Sequence, residues 1–166
     1  KTSKFPKILI SRRNEGLLRK LFEIEIPEIT SGIIEIKSVA REAGSRAKVA
    51  VYSAVPNIDT IGACIGQKGA RIKNIVDELN GERIDIVEWK PVVEEFVSAV
   101  LSPAVVESVT ILEDGTARVL VEPSQLSLAI GKNGQNARLA ARLTGMRVDI
   151  KVIDKDKETL KEGEDE

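Results

Sequence analysis

The chain has 166 residues, 42% of them hydrophobic and 31% charged, with a formal net charge of −1, the balance of an ordinary globular protein of one domain or two small ones. It has no histidine, a single cysteine (Cys64) and 3% aromatic residues, which excludes Ser-His-Asp and Cys-His catalysis, an internal disulfide and a multi-cysteine metal site, and argues against a platform of stacked aromatics. No apolar run approaches the roughly 20 residues of a membrane span and no signal-peptide pattern opens the chain, so a cytoplasmic protein, not an enzyme and without metal or cofactor, is expected.

Residues 1–14 contain Lys7-Ile8-Leu9-Ile10-Ser11-Arg12, a strand-like run with no neighbour to pair with. It reads as a linker or the last strand of an upstream domain, and the only methionine, Met146, agrees with a fragment of a longer protein. Leu17, Leu18, Leu21 and Phe22 then recur at helical spacing. Residues 33–39 alternate as a strand, residues 41–46 form a polar turn, and residues 48–52 return as a second strand. Asp59 is placed to cap a short helix ending at Cys64, a position that suits a buried thiol. Ile72, Ile75, Val76 and Leu79 mark an amphipathic helix, closed by Gly81 and followed by a strand over residues 84–87.

Pro91 opens the next helix, with Val93, Phe96, Val97 and Val100 on its apolar stripe. Strands over 105–112 and 118–121 flank a turn at 113–116, and Ser124 is placed to cap a short helix over 125–129. A helix over 135–143 and a strand over 146–152 complete the fold. Residues 154–166 carry seven acids against three lysines and read as a solvated, disordered tail. What remains is mildly basic.

The second half repeats the first. Ile65-Gly66-Gln67-Lys68-Gly69-Ala70-Arg71 is echoed by Ile130-Gly131-Lys132-Asn133-Gly134-Gln135-Asn136. The likeness extends to the flanks, where Leu79-Asn80-Gly81 answers Leu143-Thr144-Gly145 and Arg83-Ile84-Asp85-Ile86 answers Arg147-Val148-Asp149-Ile150. One Gly-x-x-Gly is a weak signal; two with matched flanks are a strong one. Glycines at both corners let another backbone approach closely, and a helix starting at the second glycine directs free N–H groups into the turn, which suits a phosphate. The two halves should therefore be sibling domains, residues 15–90 and 91–153, packed nearly rigidly across a short linker.

A helix–Gly-x-x-Gly–helix in a three-stranded unit resembles the KH domain, in the type II arrangement because helix and hairpin come first. The strings Ala40-Arg41-Glu42-Ala43-Gly44-Ser45-Arg46 and Glu82-Arg83-Ile84-Asp85-Ile86-Val87-Glu88-Trp89 look like the first KH domain of the NusA family. Leu101-Ser102-Pro103-Ala104 and Ala129-Ile130-Gly131 through Ala140 look like its second. The resemblance implies an α/β (α+β) fold of two tandem type II KH domains, each a three-stranded sheet packed against helices. It implies an oligonucleotide-binding barrel upstream, of which residues 1–14 are the remnant.

The function so implied is that of a monomeric fragment of a transcription elongation, termination and antitermination factor. It clamps nascent single-stranded RNA and meets the RNA polymerase elongation complex through the full-length protein. Gly66, Gln67, Lys68 and Gly69, with Gly131, Lys132, Asn133 and Gly134, are expected to hold the sugar-phosphate chain. Ile65 and Ile130 would floor the grooves, with Ile72 beside the first, and Gln135, Asn136 and Arg138 would reach base edges. Arg71 belongs to the same RNA-binding set. Lys73 and Arg138 either touch RNA or are exposed helix charges, and for Lys73 a pair with Asp77 favours the latter. Arg41 and Arg46, near the hairpin tip, either meet RNA or bridge the halves. The alternatives are a protein–protein adaptor with degenerate loops and a nucleotide-binding enzyme. The enzyme lacks Gly-x-x-x-x-Gly-Lys-Ser/Thr, Gly-x-Gly-x-x-Gly and any carboxylate cluster at the loops.

Overall fold

The computed structural model describes residues 8–153; the acidic stretch 154–166 and Lys7 lie outside them. Helix α1 (Glu15–Glu25) begins where Asn14 Oδ1 accepts a hydrogen bond from the Gly16 N–H at 2.7 Å, and it buries Leu18 and Phe22. A one-turn helix α2 (Pro27–Thr30) follows, and proline suits its first turn because the N–H it lacks has no intrahelical partner there. Strands β1 (Glu35–Glu42) and β2 (Arg46–Tyr52) form the expected hairpin. Their pairing already begins at Glu42 and Arg46, so the turn shrinks to residues 43–45.

Helix α3 (Thr60–Ile65) is capped as expected: Asp59 Oδ1 accepts from the Gly62 N–H at 2.8 Å. Helix α4 (Ala70–Glu78) and strand β3 (Arg83–Glu88) complete the first half. The second half runs α5 (Val93–Val100), β4 (Ser108–Ile111), β5 (Ala117–Val121), α6 (Leu126–Ile130), α7 (Gln135–Thr144) and β6 (Val148–Val152). The sheets are ordered β1-β2-β3 and β4-β5-β6, each with one antiparallel and one parallel pairing. This is the expected pair of mixed α/β units.

Residues 8–13 stay unpaired with any strand, and one expectation, the Ser124 cap, is corrected. Residues 8–13 form no strand, and Ile8, Leu9 and Ile10 stand almost fully exposed, since an isolated strand has no ladder to stabilise it. Ser124 does not cap its helix; residues 123–125 form a 3-10 turn running straight into α6, with no side-chain cap.

The halves are joined by the second face of the first sheet. Side chains along β2 alternate between faces. Ala47, Val49 and Val51 pack with Leu18, Phe22, Cys64 and Ile75. Ala50, with Ala40 of β1 and Val87 of β3, packs instead with Phe96, Val97, Leu139 and Ala140 of the second half. Strand β2 is consequently buried along both faces, which a sheet covered on one side only would not show.

Lys48 lies on this second face and is fully buried. Its ammonium donates to the Ser102 carbonyl at 2.9 Å and sits 3.3 Å from the Asp85 carboxylate. Burial pushes its pKa below the ordinary lysine value, with Asp85 opposing the shift. The small side chains of Ala40, Ala50 and Ala140 allow the close approach. In the second sheet the matching positions are Arg118 and Leu120, and Arg118 is exposed, 3.8 Å from Asp149. Ala50→Leu, which copies the second sheet's residue into the covered one, is therefore expected to cost ~1–3 kcal/mol through overpacking. A lowered urea midpoint would show it.

Candidate nucleic-acid interface

Each Gly-x-x-Gly joins two helices through the same backbone path. Gly66, Lys68 and Gly69 have φ/ψ of 75/174, 51/25 and 77/15, and Gly131, Asn133 and Gly134 have 74/172, 54/29 and 72/14. The first glycine of each loop occupies a region open essentially to glycine alone. A Cβ on Gly66 would stand 2.7 Å from Arg71 Cγ, and one on Gly131 2.9 Å from the Asn136 backbone nitrogen. The third residue is left-handed without being glycine. Asparagine tolerates that conformation and lysine does not do so readily, so Lys68 holds a strained position that Asn133 fills at less cost.

The turns are pinned from beneath by the residue five positions after the first glycine. Arg71 donates to the Ala63 carbonyl at 2.7 Å and pairs with Glu28 at 2.8 Å. Asn136 donates to the Leu101, Leu128 and Ala129 carbonyls at 3.0, 3.4 and 3.1 Å. Ala63 and Leu128 are equivalent positions in the repeat, so the two side chains secure the same carbonyl at the end of the preceding helix. The expectation that Asn136 reaches a base edge is corrected: its side chain is 1% exposed and faces the protein. Arg71 is half-buried and likewise committed to the turn.

The outer surface of each turn is open to solvent. Ile65 and Ile130 are 37% and 39% exposed, large apolar side chains left facing solvent beside the loops. Lys68, Gln67, Lys132 and Asn133 are exposed, and no ion pair engages Lys68 or Lys132 among the described residues. Lys73 is exposed too, with no ion pair to Asp77 among the described residues. Ile72 is half-buried against the first core. Burial pushes the Cys64 thiol up to about 11, so it serves the core, as its position suggests.

Arg138 and Gln135 take a role the sequence did not disclose. Both reach across to Glu42 of the first half: Arg138 Nε donates to Oε1 at 2.5 Å and Gln135 Nε2 donates to Oε2 at 2.9 Å. Arg138 also donates to the Asn133 carbonyl at 3.0 Å, tying the second turn to the first sheet. These hydrogen bonds from Arg138 and Gln135 hold the Glu42 carboxyl down from an ordinary 4.5 to about 2. Among the described residues, Arg41 and Arg46 form no bridge between the halves. Arg41 meets Glu82 at 2.7 Å with both side chains buried, and Arg46 meets Asp85 at 2.6 Å. Glu42 and Lys48 were missed as contacts between the halves; only Lys48 had a visible signal, a lone charge within the apolar run of residues 47–51.

Comparison with known proteins places these features in context. Residues 12–89 match the family described as NusA-like first KH domain, and residues 93–158 match NusA-like second KH domain. The chain is 55% identical over 152 residues to the transcription termination/antitermination protein NusA of Halalkalibacterium halodurans, covering 91% of this chain and 40% of that one. Against the protein of the same name from Thermus thermophilus it is 52% identical over 146 residues, covering 87% and 38%. The chain thus spans about two fifths of the length of these relatives. The crystal structure of APE1850 shares the fold, with a TM-score of 0.60 at 24% identity over 81% of this chain and 96% of that one.

Two outcomes are expected. Asn136→Ala strips three carbonyls of their donor and should cost ~1–3 kcal/mol, seen as a lower melting temperature with or without ligand. The Glu42 contribution, from a carboxyl depressed to about 2, is fully present above its unfolded value near 4.5 and is lost as pH falls toward 2. Urea midpoints at pH 5 and pH 3 should therefore separate less in Glu42→Gln than in the native chain.

Proposed function

We propose that this chain, which belongs to the NusA family through both of its KH domains, binds single-stranded RNA along its two Gly-x-x-Gly turns. Residues 15–90 form the first unit and 91–153 the second. The observation that carries this reading is the near-identical backbone of two strained turns, each with an exposed isoleucine before it and a lysine upon it that has no ion pair among the described residues. Strain retained at an exposed loop points to a task there, and Lys68 holds the strained position where its counterpart is the tolerant Asn133.

The chemistry follows from these parts. The first glycine of each turn lets the sugar-phosphate chain approach the backbone, while Lys68 and Lys132 neutralise phosphate. Ile65 and Ile130 give bases an apolar surface, so phosphate contacts position the strand and groove contacts choose its sequence. The first turn dominates, because Arg138 and Gln135 beside the second are held by Glu42. Two turns fixed on one body engage a single strand with high effective concentration.

Within the longer protein this unit would hold nascent RNA at the polymerase elongation complex and so act in termination and antitermination. It would work as a cytoplasmic monomer and a non-catalytic factor. No helix among the described residues is long and apolar enough to cross a membrane.

The test is binding of a labelled single-stranded RNA of roughly 12 nucleotides, long enough for two KH sites of about four each. Converting Gln67 and Lys68 both to Asp should cost more affinity than converting Lys132 and Asn133, with the circular dichroism unchanged. Lys68→Asn should keep the fold and flatten the dependence of log affinity on log salt by about one phosphate contact. Unchanged affinity in both double variants would favour a protein-docking adaptor instead.

A further inference from the structure

We infer that the cavity at the junction of the two halves takes one unstacked base of the bound RNA, an inference that rests on RNA binding by the turns. Of the chain's five aromatic residues, Trp89 and Phe96 line it and Tyr52 backs Trp89. Tyr52 and Trp89 meet edge to face at 5.3 Å and 81°, and Phe96 lies 6.3 Å from Trp89. The cavity, about 330 Å³, opens where β3 runs out into the linker, between Trp89, Phe96 and Met146 on its apolar side and Lys37, Ser38 and Thr144 on its polar side. Sparse aromatic content argues against a stacking platform, but Trp89 and Phe96 at one cavity supply a single stacking position.

The polar side narrows the choice of occupant. Ser38 Oγ is buried and has no hydrogen-bond partner among the described residues, a condition native structures seldom leave unanswered. A base edge carries donors and acceptors to meet it; an apolar side chain from a protein partner does not. Lys37 stands 5.1 and 5.2 Å from the Tyr52 and Trp89 ring centroids, bracing the cage. Its charge is matched by Glu35 at 2.7 Å, and that of Lys90 by Glu88 at 2.6 Å. A rim so balanced suits a neutral ring with polar edges and leaves phosphate to the turns. The site is thus expected to add affinity that salt does not screen.

Trp89 is the only tryptophan in the chain, so its emission reports on this cavity alone. The full chain is titrated with single-stranded RNA of roughly 12 nucleotides, and then with the same RNA carrying one abasic nucleotide at each position in turn. The expected result is saturable quenching that one abasic position abolishes, with roughly tenfold weaker binding and an unchanged salt slope. Ser38→Ala should weaken binding several-fold with an unchanged slope, whereas Lys68→Asn should alter the slope and keep the quenching at saturation. If anisotropy shows the RNA bound while Trp89 emission stays constant, or if every abasic position costs the same, the cavity takes no base and is left to a protein side chain. If no RNA binds at all, the reading of the turns falls together with this inference.

Discussion

The structure depends on one constraint, the burial of β2 on both faces. A strand covered on one side alternates apolar and polar residues; this one carries Ala47, Val49 and Val51 toward its own helices and Lys48 and Ala50 toward the second half. Covering the second face fixes how the halves sit, because only small residues allow α5 and α7 to come close. It also explains the buried lysine. Removed from water, the Lys48 ammonium needs partners: Asp85 supplies one from the neighbouring strand of the same sheet and the Ser102 carbonyl one across the junction. At the hairpin end Glu42 performs the corresponding task at the surface, gathering Arg138 and Gln135. The second turn is thereby tied to the first sheet.

Within that frame each turn divides its work between an inner and an outer layer. The inner layer is Arg71 or Asn136, which secures the carbonyl of Ala63 or Leu128 and lies so close beneath the first glycine that no Cβ fits. The outer layer is the pair of central residues and the isoleucine before them, all solvent-facing. Side chains near a recognition loop are therefore not equivalent: those beneath it maintain its shape, and only those above it are free to meet a ligand. Lys68 and Asn133 put different chemistry on one backbone conformation, so the two turns are not equivalent.

Much of this was legible in the sequence. The duplication, the paired turns, the Asp59 cap and the amphipathic spacing of Ile72, Ile75 and Leu79 all depend on local periodicity, and the fold follows them. The roles of Asn136, Arg138 and Gln135 were not legible. A polar residue in the first turns of a helix after Gly-x-x-Gly looks ligand-facing in either case, and only tertiary packing decides whether it points outward or down onto a carbonyl. Glu42 and Lys48 were hidden for a related reason, since their partners lie far away in the chain. The gathering of Tyr52, Trp89 and Phe96 is equally non-local. Composition counts the rings but does not bring them together.

The most direct measurement of the central claim is a two-dimensional ¹⁵N–¹H NMR titration of the chain with single-stranded RNA. Amide shifts should change together at Gln67, Lys68 and Gly69 and at Lys132, Asn133 and Gly134, with one common affinity, while the core strand β2 stays unmoved. Shifts that leave both turns silent, or two sets of shifts with unrelated affinities, would contradict a single rigid surface that clamps one strand at two points.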